Sequence, residues 1–185
     1  MKSTMTNANP DLARILVTRE AIQTRVGEIA RQIDHDYRDA GRLLVVGILR
    51  GAFIFTADLT RQLAIPHIVD FMALTTYGKR TTVGEVRVVM DLREPIENEH
   101  VLLVEDIVDG GHTLSYLQRL LADRNPASLR TCVMVRKVRE NALARIDYLG
   151  FEIPDAWVVG YGLDYADRYR TLPFIAELKP EVYRK

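Results

Sequence analysis

Apolar positions at three- and four-residue spacing open the chain. Leu12, Ile15, Ile22, Val26, Ile29 and Ile33 recur in this way up to about Tyr37, which predicts one or two amphipathic helices. Asn9-Pro10 supplies a cap and a first-turn proline, Thr18 offers a second start, and Gly41 closes the segment. The pattern then changes. Leu43–Ile48 is short, apolar and valine-rich, as in a buried strand. Ala52, Phe55, Leu59 and Leu63 form one face of a helix over Ala52–Leu63, and Pro66 separates it from a strand over His67–Met72.

Residues 74–84, LTTYGKRTTVG, read as a polar loop, and Val86, Val88 and Met90 as alternate positions of a partly exposed strand. Past a turn at Pro95, Val101–Val104 is again strand-like. A helix from about Thr113 to Asp123 carries Leu114, Leu117, Leu120 and Leu121. Strand Thr131–Val135, a basic stretch, a turn at Pro154 and strand Ala156–Gly160 complete the order. This alternation predicts an α/β fold, a mainly parallel central sheet flanked by helices on both faces. The first helix, the 74–90 region and about the last thirty residues are additions to that core.

Composition narrows the picture. The 185 residues are 48% hydrophobic, enough for one compact domain. Lys plus Arg and Asp plus Glu both number 25, so no net charge draws the chain to nucleic acid or an acidic membrane. Cys132 is the only cysteine, which excludes an internal disulfide and a multi-cysteine metal site. MKSTMTNANP has no apolar segment of secretory type, and no stretch approaches transmembrane length, so a cytoplasmic protein is expected.

The candidate chemistry lies in VLLVEDIVDGGHTL, residues 101–114. Ligands of such sheets bind beyond the carboxyl ends of the strands, where Val101–Val104 delivers Glu105 and Asp106. Asp109-Gly110-Gly111-His112-Thr113 then leads into a helix. Glycines let successive N–H groups turn toward an anion, Thr113 adds a hydroxyl, and the helix start adds unpaired N–H groups, which suits a terminal phosphate. Glu105 and Asp106 would repel that phosphate if they faced it; they suit vicinal sugar hydroxyls, helped by a divalent cation. Asp109 stands between the two jobs and could handle a proton on a base attached to the sugar. The same residues also suit an ordinary strand–loop–helix with solvated acids and a cap at Thr113. The stretch is neither a P-loop nor a dinucleotide fingerprint.

The stretch resembles the ribose-5-phosphate and pyrophosphate signature of type I phosphoribosyltransferases. With LVVGILRG at 44–51, TTYG at 75–78 and GFEIPDAWVVGYGLDYADRYR at 150–170, the order resembles bacterial hypoxanthine(-guanine) phosphoribosyltransferases from Leu12 to about Leu178. The resemblance implies one domain over residues 1–185, with a small hood from the N-terminal region and about 150–185. It implies transfer of 5-phosphoribosyl from phosphoribosyl pyrophosphate to N9 of a 6-oxopurine, hypoxanthine and also guanine, with magnesium as cofactor. Leu49-Arg50-Gly51 matches the pyrophosphate loop, where the family often has a non-proline cis peptide. Thr76 and Tyr77 match the pair on a mobile loop that closes over the reacting centre; the family usually has Ser where Thr76 stands. Asp109 would be the catalytic acid–base. Glu105, Asp106, Asp109, Gly110, Gly111, His112 and Thr113 would hold the sugar phosphate, and Arg170 the pyrophosphate.

Trp157 would stack on the purine, in place of the Phe frequent in relatives, with Val158 reading its edge through the backbone. Asp164, Glu105 and Asp106 would hold magnesium, partly via water or substrate. Lys137 would donate to the 6-oxo group, but the spacing to Gly150 is one residue shorter than usual, and an ungapped count lands on Arg136. Without the family, Arg136, Lys137 and Arg139 read as a solvated basic patch, and Trp157 as core. Position 112 is often Lys or Asn in relatives; His112 could donate to phosphate or face solvent. His35, His67 and His100 form no metal-ligand spacing. The family also implies a homodimer or homotetramer without nucleic-acid or membrane partners. The alternatives are a xanthine-preferring enzyme and an RNA-binding regulator on the same fold.

Overall fold

The computed structural model describes residues 9–77, 85–139 and 144–184. Six strands form the central sheet, in the order β4-β3-β2-β5-β6-β7. They are β2 (Leu43–Leu49), β3 (His67–Tyr77), β4 (Glu85–Met90), β5 (His100–Val108), β6 (Ser128–Lys137) and β7 (Tyr148–Ile153). All pairings are parallel except β3 with β4. Helices α1 (Arg19–Asp36) and α2 (Phe53–Thr60) share one core with Val45, Leu102, Val104 and Met134. Helix α3 (His112–Ala122) covers the other face over Leu44, Val46, Ile48, Leu103 and Val133. Alternate residues of β2 and β5 thus enter opposite cores, which is why both strands are uniformly apolar. Ala52, Phe55, Leu59 and Leu63 are buried together as their spacing predicts.

A second sheet, β1-β9-β8, joins β1 (Leu12–Val17), β9 (Ile175–Leu178) and the two-residue β8 (Val158–Val159), all antiparallel. It corrects the expected helix at Leu12. Leu12 pairs with Leu178 and Val17 with Ile175, while Asn9 caps only a turn, its side chain accepting from Asp11 N–H at 3.1 Å. The helix starts at Thr18, whose hydroxyl accepts from Ala21 N–H at 3.2 Å, a cap worth about 1 kcal/mol. The expected strand at 156–160 is β8 of this small sheet, and β7, β9 and the terminal turn of helix α4 (Pro180–Tyr183) extend the predicted set.

Two strands run further than their apolar cores. β3 continues to Tyr77 by pairing with β4, so the residues expected to open the loop are ladder positions. The rest of that loop and the side chains of Thr76 and Tyr77 lie outside the described residues. β5 runs through the acids to Val108, with Glu105 facing Val133 and Ile107 facing Val135 in the register. The connections from neighbouring β2 and β5 leave in opposite directions, toward β3 and β6. Their carboxyl ends therefore flank the crevice where ligands bind such sheets.

Candidate active site

Strand alternation sends the two acids of β5 to different places. Glu105 lines a cavity of about 550 Å³ beside α3, and Asp106 lines a neighbouring one of about 270 Å³. Oε2 of Glu105 is buried without a hydrogen-bond partner. Burial, then the Asp106 charge, raises its pKa well above the usual carboxylate range. Oδ1 of Asp106 accepts from Ile107 N–H at 2.8 Å. Burial raises its pKa to about 6, although its backbone hydrogen bonds and Arg170 favour the charged form. A Cβ at Gly51 would overlap the Asp106 carboxylate, so only glycine lets the 49–51 loop approach this closely.

The larger cavity ends at the start of α3. Asp109, Gly110, Gly111, His112 and Thr113 line it together with Arg139. Gly111 is the N-cap, at φ 80°, and no side chain caps the helix. The N–H groups of the first turn remain available to an anion. A left-handed cap residue explains why glycine stands there.

Asp109 also lines the smaller cavity, with Lys137, Trp157, Val158 and Asp164. Lys137 Nζ lies 3.3 Å from Asp109 Oδ2 and 3.5 Å from Asp155 Oδ1. Its side chain is only 13% exposed. Arg136, the neighbour on β6, is turned away and ion-paired to Glu152, as strand alternation requires. Of the two residues the spacing leaves open, Lys137 lines the cavity and Arg136 does not. The basic-patch reading is corrected for Lys137 alone; Arg139 stays exposed, although it is ion-paired. Arg139 Nε lies 2.8 Å from Asp109 Oδ1, and its Nη2 lies 2.8 Å from Asp155 Oδ1. The Arg139 hydrogen bond holds the Asp155 pKa below the usual range. Arg139 was not singled out as a site residue, yet Lys137 and Arg139 are two residues apart, the spacing that keeps two side chains on one side of extended chain.

The remaining candidates lie on the loop after β2 and in the segment after β8. The Leu49–Arg50 peptide is cis. Arg50 Nη2 lies 2.9 Å from Asp167 Oδ1. Arg170 Nη2 lies 2.8 Å from Asp164 Oδ1, and its Nη1 donates to the Gly162 carbonyl at 2.8 Å. Ala166, Asp167 and Tyr169 have positive φ angles of 51°, 59° and 75°, backbone states disfavoured for such residues. Leu49, Arg50, Gly51 and Arg170 line neither cavity, although Gly51 lies against Asp106 and Arg170 is paired with Asp164, which do. Trp157 is 47% exposed, so the core reading of it is corrected. Cys132 is fully buried in β6, and burial raises its thiol pKa.

Among the described residues no group of three or more His, Cys, Asp or Glu is arranged to hold a metal. The oxygen donors present still suit a hard cation that takes most of its ligands from a substrate: Asp106 and Asp164 line one cavity together, and Glu105 Oε2 is buried without a partner beside the other. A concavity of about 580 Å³ beside α1 lies at the amino ends of the strands. Its acid Asp36 is already engaged by Tyr148 at 2.8 Å and by Arg130. The chemistry is concentrated at the carboxyl ends. No helix among the described residues is long and apolar enough to cross a membrane.

Comparison with known proteins agrees with this geometry. Residues 15–166 match the phosphoribosyl transferase domain family. Hypoxanthine-guanine phosphoribosyltransferase of Dictyostelium discoideum is 45% identical over 177 residues, covering 92% of this chain and 98% of that protein. Hypoxanthine phosphoribosyltransferase of Escherichia coli K12 is 42% identical over 167 residues, covering 89% and 94%. The Trypanosoma cruzi hypoxanthine phosphoribosyltransferase, solved in complex with the product IMP, superposes with a TM-score of 0.88 at 44% identity, covering 95% of this chain and 98% of that one. The family match, the identity over nearly the whole length of these relatives and the shared fold agree, and the chain belongs to the hypoxanthine(-guanine) phosphoribosyltransferase family.

Proposed function

We propose that the protein transfers the 5-phosphoribosyl group from phosphoribosyl pyrophosphate to N9 of hypoxanthine or guanine, forming IMP or GMP and pyrophosphate. The observation that carries the reading is Asp109, which lines both cavities and so stands between a phosphate end and a base end. The 5-phosphate takes the N–H groups of Gly110 to Thr113 and the Thr113 hydroxyl, with His112 beside it. Glu105 and Asp106 accept from the ribose hydroxyls; a hydroxyl also gives the orphaned Glu105 oxygen a partner. The base lies against Trp157, with Lys137 donating to the 6-oxo oxygen and the Val158 backbone reading its edge. Adenine presents a 6-amino donor there and is disfavoured.

As the C1–pyrophosphate bond breaks, C1 gains oxocarbenium-like charge and N9 attacks it. Asp109 exchanges a proton with N7, matching the ring electronically to the forming bond. Positioning of sugar, base and leaving group carries much of the rate effect, without a covalent nucleophile. Arg50, the 49–51 loop and Arg170 receive pyrophosphate; Thr76 and Tyr77 belong to the segment that closes over the centre and excludes water. Magnesium, when bound, neutralises the leaving group. Asp164, Glu105 and Asp106 would hold it, in part through water or substrate.

The family resemblance also supports a cytoplasmic homodimer or homotetramer with a hood over the cleft, built from β1, β8, β9 and the segment between them. Light scattering of the purified protein gives the stoichiometry. The deciding experiment incubates the protein with magnesium, phosphoribosyl pyrophosphate and one of hypoxanthine, guanine, xanthine or adenine, then identifies the nucleotide. IMP and GMP are the expected products; XMP alone, or no nucleotide, overturns the proposal.

A further inference from the structure

Trp157 lines the base cavity but leaves nearly half its surface open, so the cavity walls do not hold the ring. Its support comes from the end of the chain. Tyr183 of α4 stacks on the indole, with centroids 5.2 Å apart and planes 23° from parallel. Tyr165 meets it edge-on, at 5.6 Å and 88°. Both are arrangements that the quadrupoles of aromatic rings favour. Neither tyrosine lines the cavity. Both pack with Val159, Phe174 and Leu178, on the side of the small sheet opposite Val158, which faces the cavity. The main chain is tied at the same place. Leu178 N–H donates to the Trp157 carbonyl at 2.8 Å, and Lys179 N–H to the Asp11 carbonyl at 2.9 Å.

We infer that Tyr183 is a positioning residue for the base, backing the indole on the face turned away from the cavity; this rests on the reading of Trp157 as the purine platform. An unsupported indole at a strand end turns about two side-chain bonds, and fixing it when a ligand arrives lowers affinity. The Tyr183 stack restricts that rotation beforehand. The last helical turn thus acts on base affinity while touching no substrate. Stacking needs the ring and not the hydroxyl, so phenylalanine suffices and leucine, with similar apolar bulk, does not.

Trp157 is the only tryptophan, so its emission reports on this ring alone. IMP is titrated into the parent protein, Tyr183→Phe and Tyr183→Leu, and the KM values for hypoxanthine and phosphoribosyl pyrophosphate are measured for each. Tyr183→Leu is expected to weaken IMP quenching and raise the hypoxanthine KM about three- to tenfold, the range for loss of one aromatic pair. Its KM for phosphoribosyl pyrophosphate should not move, and Tyr183→Phe should track the parent. A Tyr183→Leu protein with parental IMP affinity and hypoxanthine KM overturns the inference alone, as does a parallel rise in both KM values. Unquenched emission in a parent protein that still forms IMP overturns the Trp157 reading, and this inference with it. A parent that makes no nucleotide from any oxopurine overturns the proposed function as well.

Discussion

The Arg139 guanidinium sits 2.8 Å from Asp109 Oδ1, on the carboxylate that also meets Lys137 at 3.3 Å through Oδ2. One carboxylate is therefore shared by two cations that face different cavities, Arg139 the one at the start of α3 and Lys137 the one lined by Trp157. Asp109→Asn keeps the shape and removes the proton acceptor. It should fold normally and retain phosphoribosyl pyrophosphate binding while kcat falls about 10²–10⁴-fold. A kcat near the parent's, in steady-state assays, would take Asp109 out of acid–base work.

Arg139 is the one permanently charged cation among the described residues lining the phosphate cavity, where Glu105 and Asp109 are also present. A sugar phosphate brought there needs that charge as a counterweight. Arg139→Gln should raise the KM for phosphoribosyl pyrophosphate about tenfold, as for loss of one charge-assisted contact. The KM for hypoxanthine should change far less, and initial rates with each substrate varied in turn measure both.

Lys137 and Arg136 make a matched pair of controls. Lys137→Gln removes the donor facing the base cavity and should raise the purine KM about tenfold or more. Arg136→Gln removes only a partner of Glu152 outside the cavity and should leave the purine KM unchanged. Equal effects of the two substitutions, in the same assay, would contradict the assignment.

Most of the central sheet was legible because its strands are short apolar runs whose alternate residues enter separate cores. β1 was not: Leu12 and Ile15 continue the spacing of α1, and what makes them a strand is pairing with Leu178 and Ala176 at the other end of the chain. Local periodicity carries no trace of so distant a partner. β7 was missed because Tyr148–Ile153 contains Gly150 and Glu152 and pairs on one side only, with β6. In the site, the acids, the glycine loop and Lys137 were readable from motif and resemblance. Arg139 was read as part of a solvated patch because its significance depends on Asp109 and Asp155 converging on it, and only folding brings them there.

Asp106 gives a pH prediction. Burial raises its pKa from 3.8 to about 6, so between those values the folded chain keeps a proton that the unfolded chain has lost. Its contribution to stability falls as pH rises through that window, and above about 6 the buried charge is a standing penalty. Asp106→Asn removes the penalty and can keep the hydrogen bond from Ile107. Calorimetry should find the variant's Tm above the parent's at pH 8, with the gap closing toward pH 4, while nucleotide formation drops. Asp36, Asp70 and Asp91, whose pKa values are lowered, act in the opposite sense, so the informative quantity is the difference between the two proteins. A gap that does not depend on pH would show that the Asp106 charge is not what limits stability.

Because β1 is laid down first and its partner β9 nearly last, the ribosome imposes an order on assembly. The six-stranded sheet has all its strands by Ile153, whereas the small sheet beside Trp157 must wait for Ile175–Leu178 to leave the exit tunnel. A nascent chain thus holds every strand of the large sheet before the strand that completes the small one has been made.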